Sequence, residues 1–226
     1  MQRTPQRPLA AAVVQLPLPD TAIALFPATP GAAASLHEEE RRLLPRLPSA
    51  RRPGFVAGRA AAGRALELLD VQGPVLRDGR RPLFPAGAQG SISHATGPIG
   101  ASIASTHPDV IAVGIDLERT DRLGRGADRL VCTMRERSWV ARARRPESRL
   151  SVLFSAKEAV YKALHGISTR PPVFHDVEIG LEGDRLDIRL APELLQENRR
   201  IDGWFQLLPG KYVLASVAVI SVTGTE

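Results

Sequence analysis

Two stretches of this chain echo each other, and the echo constrains the fold more than any other feature. With residue 59 set over residue 157, AGRAAAGRAL (57–66) aligns with SAKEAVYKAL (155–164), and cation falls on cation at Arg59/Lys157 and Arg64/Lys162. Upstream, Glu38 falls over Glu136, Arg46 over Arg144 and Arg51 over Arg149. In each copy a basic helix precedes a stretch rich in β-forming residues. The expected architecture is an α+β fold of two pseudo-duplicated halves, residues 1–109 and 110–226, with a cleft between them.

Local patterns fill in this frame. Residues 1–35 read as strand plus loop; a helix begins near 36 and breaks at Pro45, and a second runs from 51 to 70. Gly73-Pro74 and Asp78-Gly79 mark turns, and Gly90 to Thr106 reads as short strands around Gly97-Pro98. A strand is expected over 110–118, a charged helical stretch from Asp121 to Arg145, and a strong helix over 147–165. The remainder is β: 177–190 turning near Gly183-Asp184, then 203–221 folding back at Pro209-Gly210.

Several charges sit where a core would not want them. On the 147–165 helix, Leu150, Leu153, Phe154, Val160, Tyr161 and Leu164 share one stripe, with Lys157 near its centre and Glu158 at its edge. On the 51–70 helix, Phe55, Ala62, Leu66 and Leu69 form the stripe and Arg59 falls inside it. A buried charge needs a partner, and one anion shared between the halves would serve both cations. On the strand, Ile111, Val113, Ile115 and Leu117 point to one face. Asp116 and Glu118 project together from the other, about 7 Å apart. Paired hard oxygen ligands completed by substrate phosphates are how Mg²⁺ is usually held. The small, polar GSISH (90–94) offers hydroxyls, backbone N–H groups and His94 to an anion. Each feature also has an ordinary alternative: a lysine that snorkels to water, an i,i+4 surface pair at Glu158/Lys162, a solvated strand face, or a structural histidine.

Charge and cysteine content narrow the partners. The net charge of +6 and a pI near 10.3 favour anionic ones. Aromatics are only 4% and do not interleave with a dense basic run, so nucleic acid is not expected. Of 30 cationic residues only Lys157, Lys162 and Lys211 are lysines, which sets the Lys157/Lys162 pair apart. Cys132 has no second thiol to pair with, consistent with a reducing, cytoplasmic setting. Gln15, Pro17 and Pro19 break the apolar stretch after Arg3 and Arg7, so no secretory leader is expected. No apolar run approaches the ~18–20 residues that cross a bilayer.

In combination, GSISH (90–94), GIDLE (114–118) and FSAKEAVYKA (154–163) resemble, in this order and spacing, the signatures of the phosphopantetheinyl transferase superfamily. GRAAAGRAL (58–66) and the GRRPLFP stretch (79–85) are similar to its monomeric, two-lobed branch, which serves siderophore, polyketide and non-ribosomal peptide synthesis. The resemblance implies coenzyme A between the halves and Mg²⁺ (or Mn²⁺) on its diphosphate, held by Asp116, Glu118 and Glu158. It implies Glu158 as general base, Lys162 on the phosphate under attack, and Lys157 near the diphosphate. Ser93 and His94 would contact phosphate, while Arg51, Arg59, Arg80 and Arg81 would engage the adenosine 3′-phosphate end. It leaves Arg77, Arg80 and Arg81 undistinguished and gives Arg64 no clear role. The implied partners are acidic apo carrier proteins, acyl or peptidyl.

Overall fold

The computed structural model describes residues 11–79, 81–96, 99–124 and 126–222. Arg80, residues 1–10 and the expected Gly97-Pro98 turn therefore lie outside the described residues. The first part of the chain runs β1 (Ala12–Val14), β2 (Thr21–Pro27), α1 (Glu38–Arg41), α2 (Arg52–Glu67), β3 (Leu76–Asp78), β4 (Arg81–Leu83), β5 (Gln89–Ala95) and β6 (Ile99–Ser105). The second runs β7 (Val110–Arg119), α3 (Ala127–Val131), α4 (Met134–Ala141), α5 (Pro146–Leu164), β8 (Val177–Glu182), β9 (Arg185–Leu190), β10 (Arg199–Leu208) and β11 (Tyr212–Ser221).

Two antiparallel sheets result, ordered β1-β2-β6-β5 and β7-β11-β10-β9-β8, with β3-β4 as a separate ribbon. Alternation along each strand decides what each sheet face meets. On β2, Ala22 and Ala24 pack with Ala62, Ala65 and Leu66 of α2, while Ile23 and Leu25 turn the other way. On β11, Ala215, Val217 and Val219 pack with Ala156, Ala159, Val160 and Ala163 of α5. The opposite faces meet each other: Ile23, Leu25, Ala101 and Ile103 share one core with Val113, Ile115, Leu117, Leu214 and Trp204. The α+β fold is thus layered helix, sheet, sheet, helix. Small residues under each helix let it lie close to its sheet.

Gly114 shows how close. A Cβ there would collide with the Ala159 carbonyl and the Ala163 amide of α5, which are backbone atoms with no room to yield. Gly100 stands in the same relation to the backbone of Ala57 and Gly58 in α2. Gly114→Ala is expected to cost more than the ~1–3 kcal/mol usual for overpacking, read as a lowered thermal midpoint. A variant that melts with the parent would contradict this packing.

Three local expectations are corrected. The helix begun at 36 is a single turn, α1, because Pro45 falls in a 3₁₀ turn at Leu44–Arg46. The stretch from Asp121 to Arg145 is two helices, α3 and α4, parted at Thr133. There the Thr133 hydroxyl accepts the Glu136 N–H (3.3 Å) and the Glu136 carboxylate accepts the Thr133 N–H (2.7 Å), which starts α4 afresh. GSISH lies on strand β5, within the stretch expected as short strands. Ile111 packs on the α5 side, away from Val113, Ile115 and Leu117, because the β7–β11 register shifts beside it at Val219/Ile220.

Candidate active site

The site forms where two sheet edges meet. β5 and β7 are the edge strands of their sheets and run beside each other, joined by side chains. The Ser91 hydroxyl accepts the Ile115 N–H (3.3 Å) and the Ser93 hydroxyl donates to Asp116 Oδ1 (2.9 Å). Gly114 draws α5 onto the face of β7 that carries Asp116 and Glu118, which brings Glu158 and Lys162 to those carboxylates. Lys162 Nζ donates to Asp116 Oδ1 (2.9 Å) and to the Ile115 carbonyl (2.8 Å). Glu158 stands close enough to Asp116 and Glu118 for their charges to act on it. Burial, first, and those two carboxylates push its carboxyl above the ordinary range, against the pull of Lys162.

The donor set fits a divalent cation of the Mg²⁺ type. Asp116 is buried, its Oδ1 holds Ser93 and Lys162, and its Oδ2 has no partner. Glu118 is also buried, with the Arg119 N–H on Oε1 (2.7 Å) and Arg122 Nη1 on Oε2 (3.3 Å). Among the described residues no three His, Cys, Asp or Glu side chains converge tightly enough to cage a metal by themselves. One or two carboxylates completed by phosphate and water is the usual Mg²⁺ arrangement.

Beside the carboxylates lies a groove of about 870 Å³, lined by Arg51, Phe55, Arg59, Arg77, His94 and Arg122 among others. Arg122 connects the two, since it lines the groove and holds Glu118. Arg59 is 7% exposed, lies 4.9 Å over the Phe55 ring and donates from Nη2 to the Leu76 carbonyl (2.9 Å). Its Nε is buried without a partner. Burial lowers its pKa to about 10; Glu40 opposes that shift and Arg77 adds to it.

The structure thus brings together Asp116, Glu118, Glu158 and Lys162, and beside them Arg51, Arg59 and His94. Lys157 is the main correction. It is fully buried, and Nζ donates to Glu136 Oε2 (2.7 Å), the Val131 carbonyl (2.8 Å) and the Phe174 carbonyl (2.9 Å). All three of its donors are used inside the protein, so none is left for a diphosphate. Ser93 is corrected too: strand alternation turns it to β7, where it orients Asp116, and sends His94 to the groove. Arg81 lies with its guanidinium against Gly166 and does not line the groove, whereas Arg77 does. Arg64 pairs with Glu67 on the helix surface. Arg122 and Glu40 carried no expectation, and Glu136 only its place opposite Glu38 in the echo. The T-x-x-E spacing of Thr133 and Glu136 was the available signal for the last.

Residues 112–216 match the 4′-phosphopantetheinyl transferase superfamily, and residues 39–104 match the 4′-phosphopantetheinyl transferase N-terminal domain. The 4′-phosphopantetheinyl transferase Svp of Streptomyces mobaraensis is 32% identical over 185 residues, 76% of this chain and 73% of that protein. Enterobactin synthase component D of Salmonella typhi is 31% identical over 202 residues, 84% of this chain and 83% of that one. Among solved structures, the holo-[acyl-carrier-protein] synthase of Thermotoga maritima aligns over 51% of this chain and 67% of its own, with 20% identity and a TM-score of 0.43.

Proposed function

Because the chain belongs to the 4′-phosphopantetheinyl transferase superfamily, we propose that it moves the phosphopantetheine arm of coenzyme A onto a serine of an apo carrier protein. The observation that carries this reading is the arginine-lined groove opening, through Arg122, onto the carboxylates of β7 and α5. A polyanion fits the groove, and a phosphoryl group leaving it meets a proton acceptor.

The carrier serine oxygen attacks the β-phosphorus of coenzyme A, the bond to 3′,5′-ADP breaks, and the serine proton passes to a carboxylate. Glu158 is that acceptor: a serine alcohol is a weak nucleophile unaided, and Glu158 stands beside the carboxylates that would hold the metal. Asp116 and Glu118, joined by Glu158, would hold Mg²⁺, which neutralises charge on the diphosphate when bound. Lys162 and Ser93 keep Asp116 in place, and Lys162 retains a third donor for the phosphate. Arg51, Arg59, Arg77 and His94 bind the 3′-phosphate end of coenzyme A.

Carrier proteins that are acidic around the modified serine suit a chain of pI 10.3. Leu130 and Met134 stand exposed, with Arg129 and Arg135 exposed next to them in the chain, and offer such a carrier apolar and basic side chains. No helix among the described residues is long and apolar enough to cross a membrane. We place the enzyme in the cytoplasm, where its buried Cys132, a thiol pushed up to about 12 by burial, stays inert.

Incubation with apo carrier, coenzyme A and Mg²⁺ followed by intact-mass measurement tests the reaction. The carrier is expected to gain the mass of one phosphopantetheine arm. Asp116→Ala is expected to abolish that gain with the fold intact, and undiminished transfer by this variant at saturating Mg²⁺ would remove Asp116 from the metal site.

A further inference from the structure

Each helix–sheet layer contains one buried glutamate that starts a short helix, fastens a segment distant in sequence and faces a cation on the long helix. In the second layer Glu136 Oε2 accepts the Thr133 N–H, Oε1 accepts the Ile179 N–H of β8 (2.8 Å), and Lys157 completes the set. In the first layer Glu40 Oε2 accepts the His37 N–H (3.1 Å), Oε1 accepts the Val75 N–H (2.8 Å), and Arg59 is the cation. The internal echo is therefore physical, but its register shifts by two here: the counterpart of Glu136 is the buried Glu40 and not Glu38, which pairs with Arg42 at the surface. The two anchors also differ. Lys157 spends every donor inside and is closed. Arg59 reaches past its anchor to the groove wall, rests on Phe55 and bonds the carbonyl of Leu76, the residue next to the one Glu40 fastens.

We propose that Glu40 is a positioning residue for coenzyme A: it fixes Val75, next to the Leu76 carbonyl that holds Arg59, and with its charge keeps the Arg59 guanidinium turned to the ligand's 3′-phosphate. This rests on the proposed function and adds a residue that touches no ligand. Glu40 is 4% exposed and does not line the groove. Its negative charge offsets what burial and Arg77 impose on Arg59. An arginine has five donors and a planar fork, so it can serve an internal carbonyl and an outside phosphate at once. A lysine's three are exhausted inside, as Lys157 shows.

The test compares equilibrium binding of coenzyme A and of dephospho-coenzyme A, which lacks the 3′-phosphate, together with kcat and KM. Glu40→Gln keeps the shape and one acceptor oxygen. It is expected to weaken coenzyme A roughly tenfold, the equivalent of ~1.4 kcal/mol, with dephospho-coenzyme A little changed and kcat near the parent's at saturating coenzyme A. Arg59→Ala is expected to lose the same preference, and Glu136→Gln to lower the melting temperature without touching it. Arg59→Lys, which rebuilds the closed anchor of the second layer, is expected to fold and lose the preference, and it carries the test should Glu40→Gln fail to fold. If Arg59→Ala loses the preference while Glu40→Gln keeps it, Glu40 is structural only and the proposal falls. If Arg59→Lys keeps it, the contrast between open and closed anchors is wrong. If Arg59→Ala itself keeps it, the assignment of Arg59 to the 3′-phosphate fails, and the role of Glu40 with it.

Discussion

Glu158→Gln is expected to lower kcat by about 10²–10⁴, the usual worth of general-base catalysis, with coenzyme A affinity close to the parent's. Glutamine keeps the side chain's shape and one oxygen but cannot accept the serine proton. A collapse of Mg²⁺ affinity alongside kcat would make the metal-ligand role the larger one. If neither moves, Glu158 is neither base nor metal ligand and the base lies elsewhere. The same substitution carries a second signature with the opposite sign. Burial, Asp116 and Glu118 raise the Glu158 carboxyl in the folded state, so the metal-free protein loses stability as pH rises through that raised value. Removing the charge removes that loss. The variant is expected to melt above the parent at neutral pH without metal, the difference vanishing below the ordinary carboxylate range, as a thermal series across pH would show.

Lys157→Ala is expected to cost about 3–5 kcal/mol of folding stability, the range for breaking a buried ion pair by removing one partner. It strands the Glu136 carboxylate in a dry site and leaves the Val131 and Phe174 carbonyls without their donor. Those groups belong to three segments, the end of α3, the start of α4 and the turn before β8, so the loss is expected to loosen all three together. Chemical denaturation measures the cost, and coenzyme A affinity measured well below the melting temperature is expected to stay near the parent's. A variant that unfolds like the parent but loses coenzyme A would restore the diphosphate role that the family resemblance implied.

Much of the site could be read from local spacing because its chemistry is periodic. A residue step of two along β7 puts Asp116 and Glu118 on one face, and a step of four along α5 does the same for Glu158 and Lys162. The alanines beside Glu158 and Lys162, with Gly114 opposite, then leave the two faces nothing to do but meet. Period also located α2 and its inward arginine. It misled at Ile111, where a bulge resets alternation, and between Asp121 and Arg145, where a threonine cap divides one charged stretch into two helices.

By itself, the sequence determined that the fold is duplicated and α+β, that two helices each send a cation inward, and that the ordered motifs belong to one chemistry. Tertiary structure alone decided which inward cation faces the open groove. A charge within an apolar stripe announces that it needs a partner, because desolvation is costly, but it does not announce whose. For Lys157 the partners are Val131, Glu136 and Phe174; for Arg59 they are Leu76, Glu40 and an open groove. The same held for Ser93, turned to Asp116 by its strand, and for Arg77 over Arg81, which stand on the two different strands of the β3–β4 ribbon. These choices are made by segments that meet only when the chain folds, and no spacing along the sequence records them.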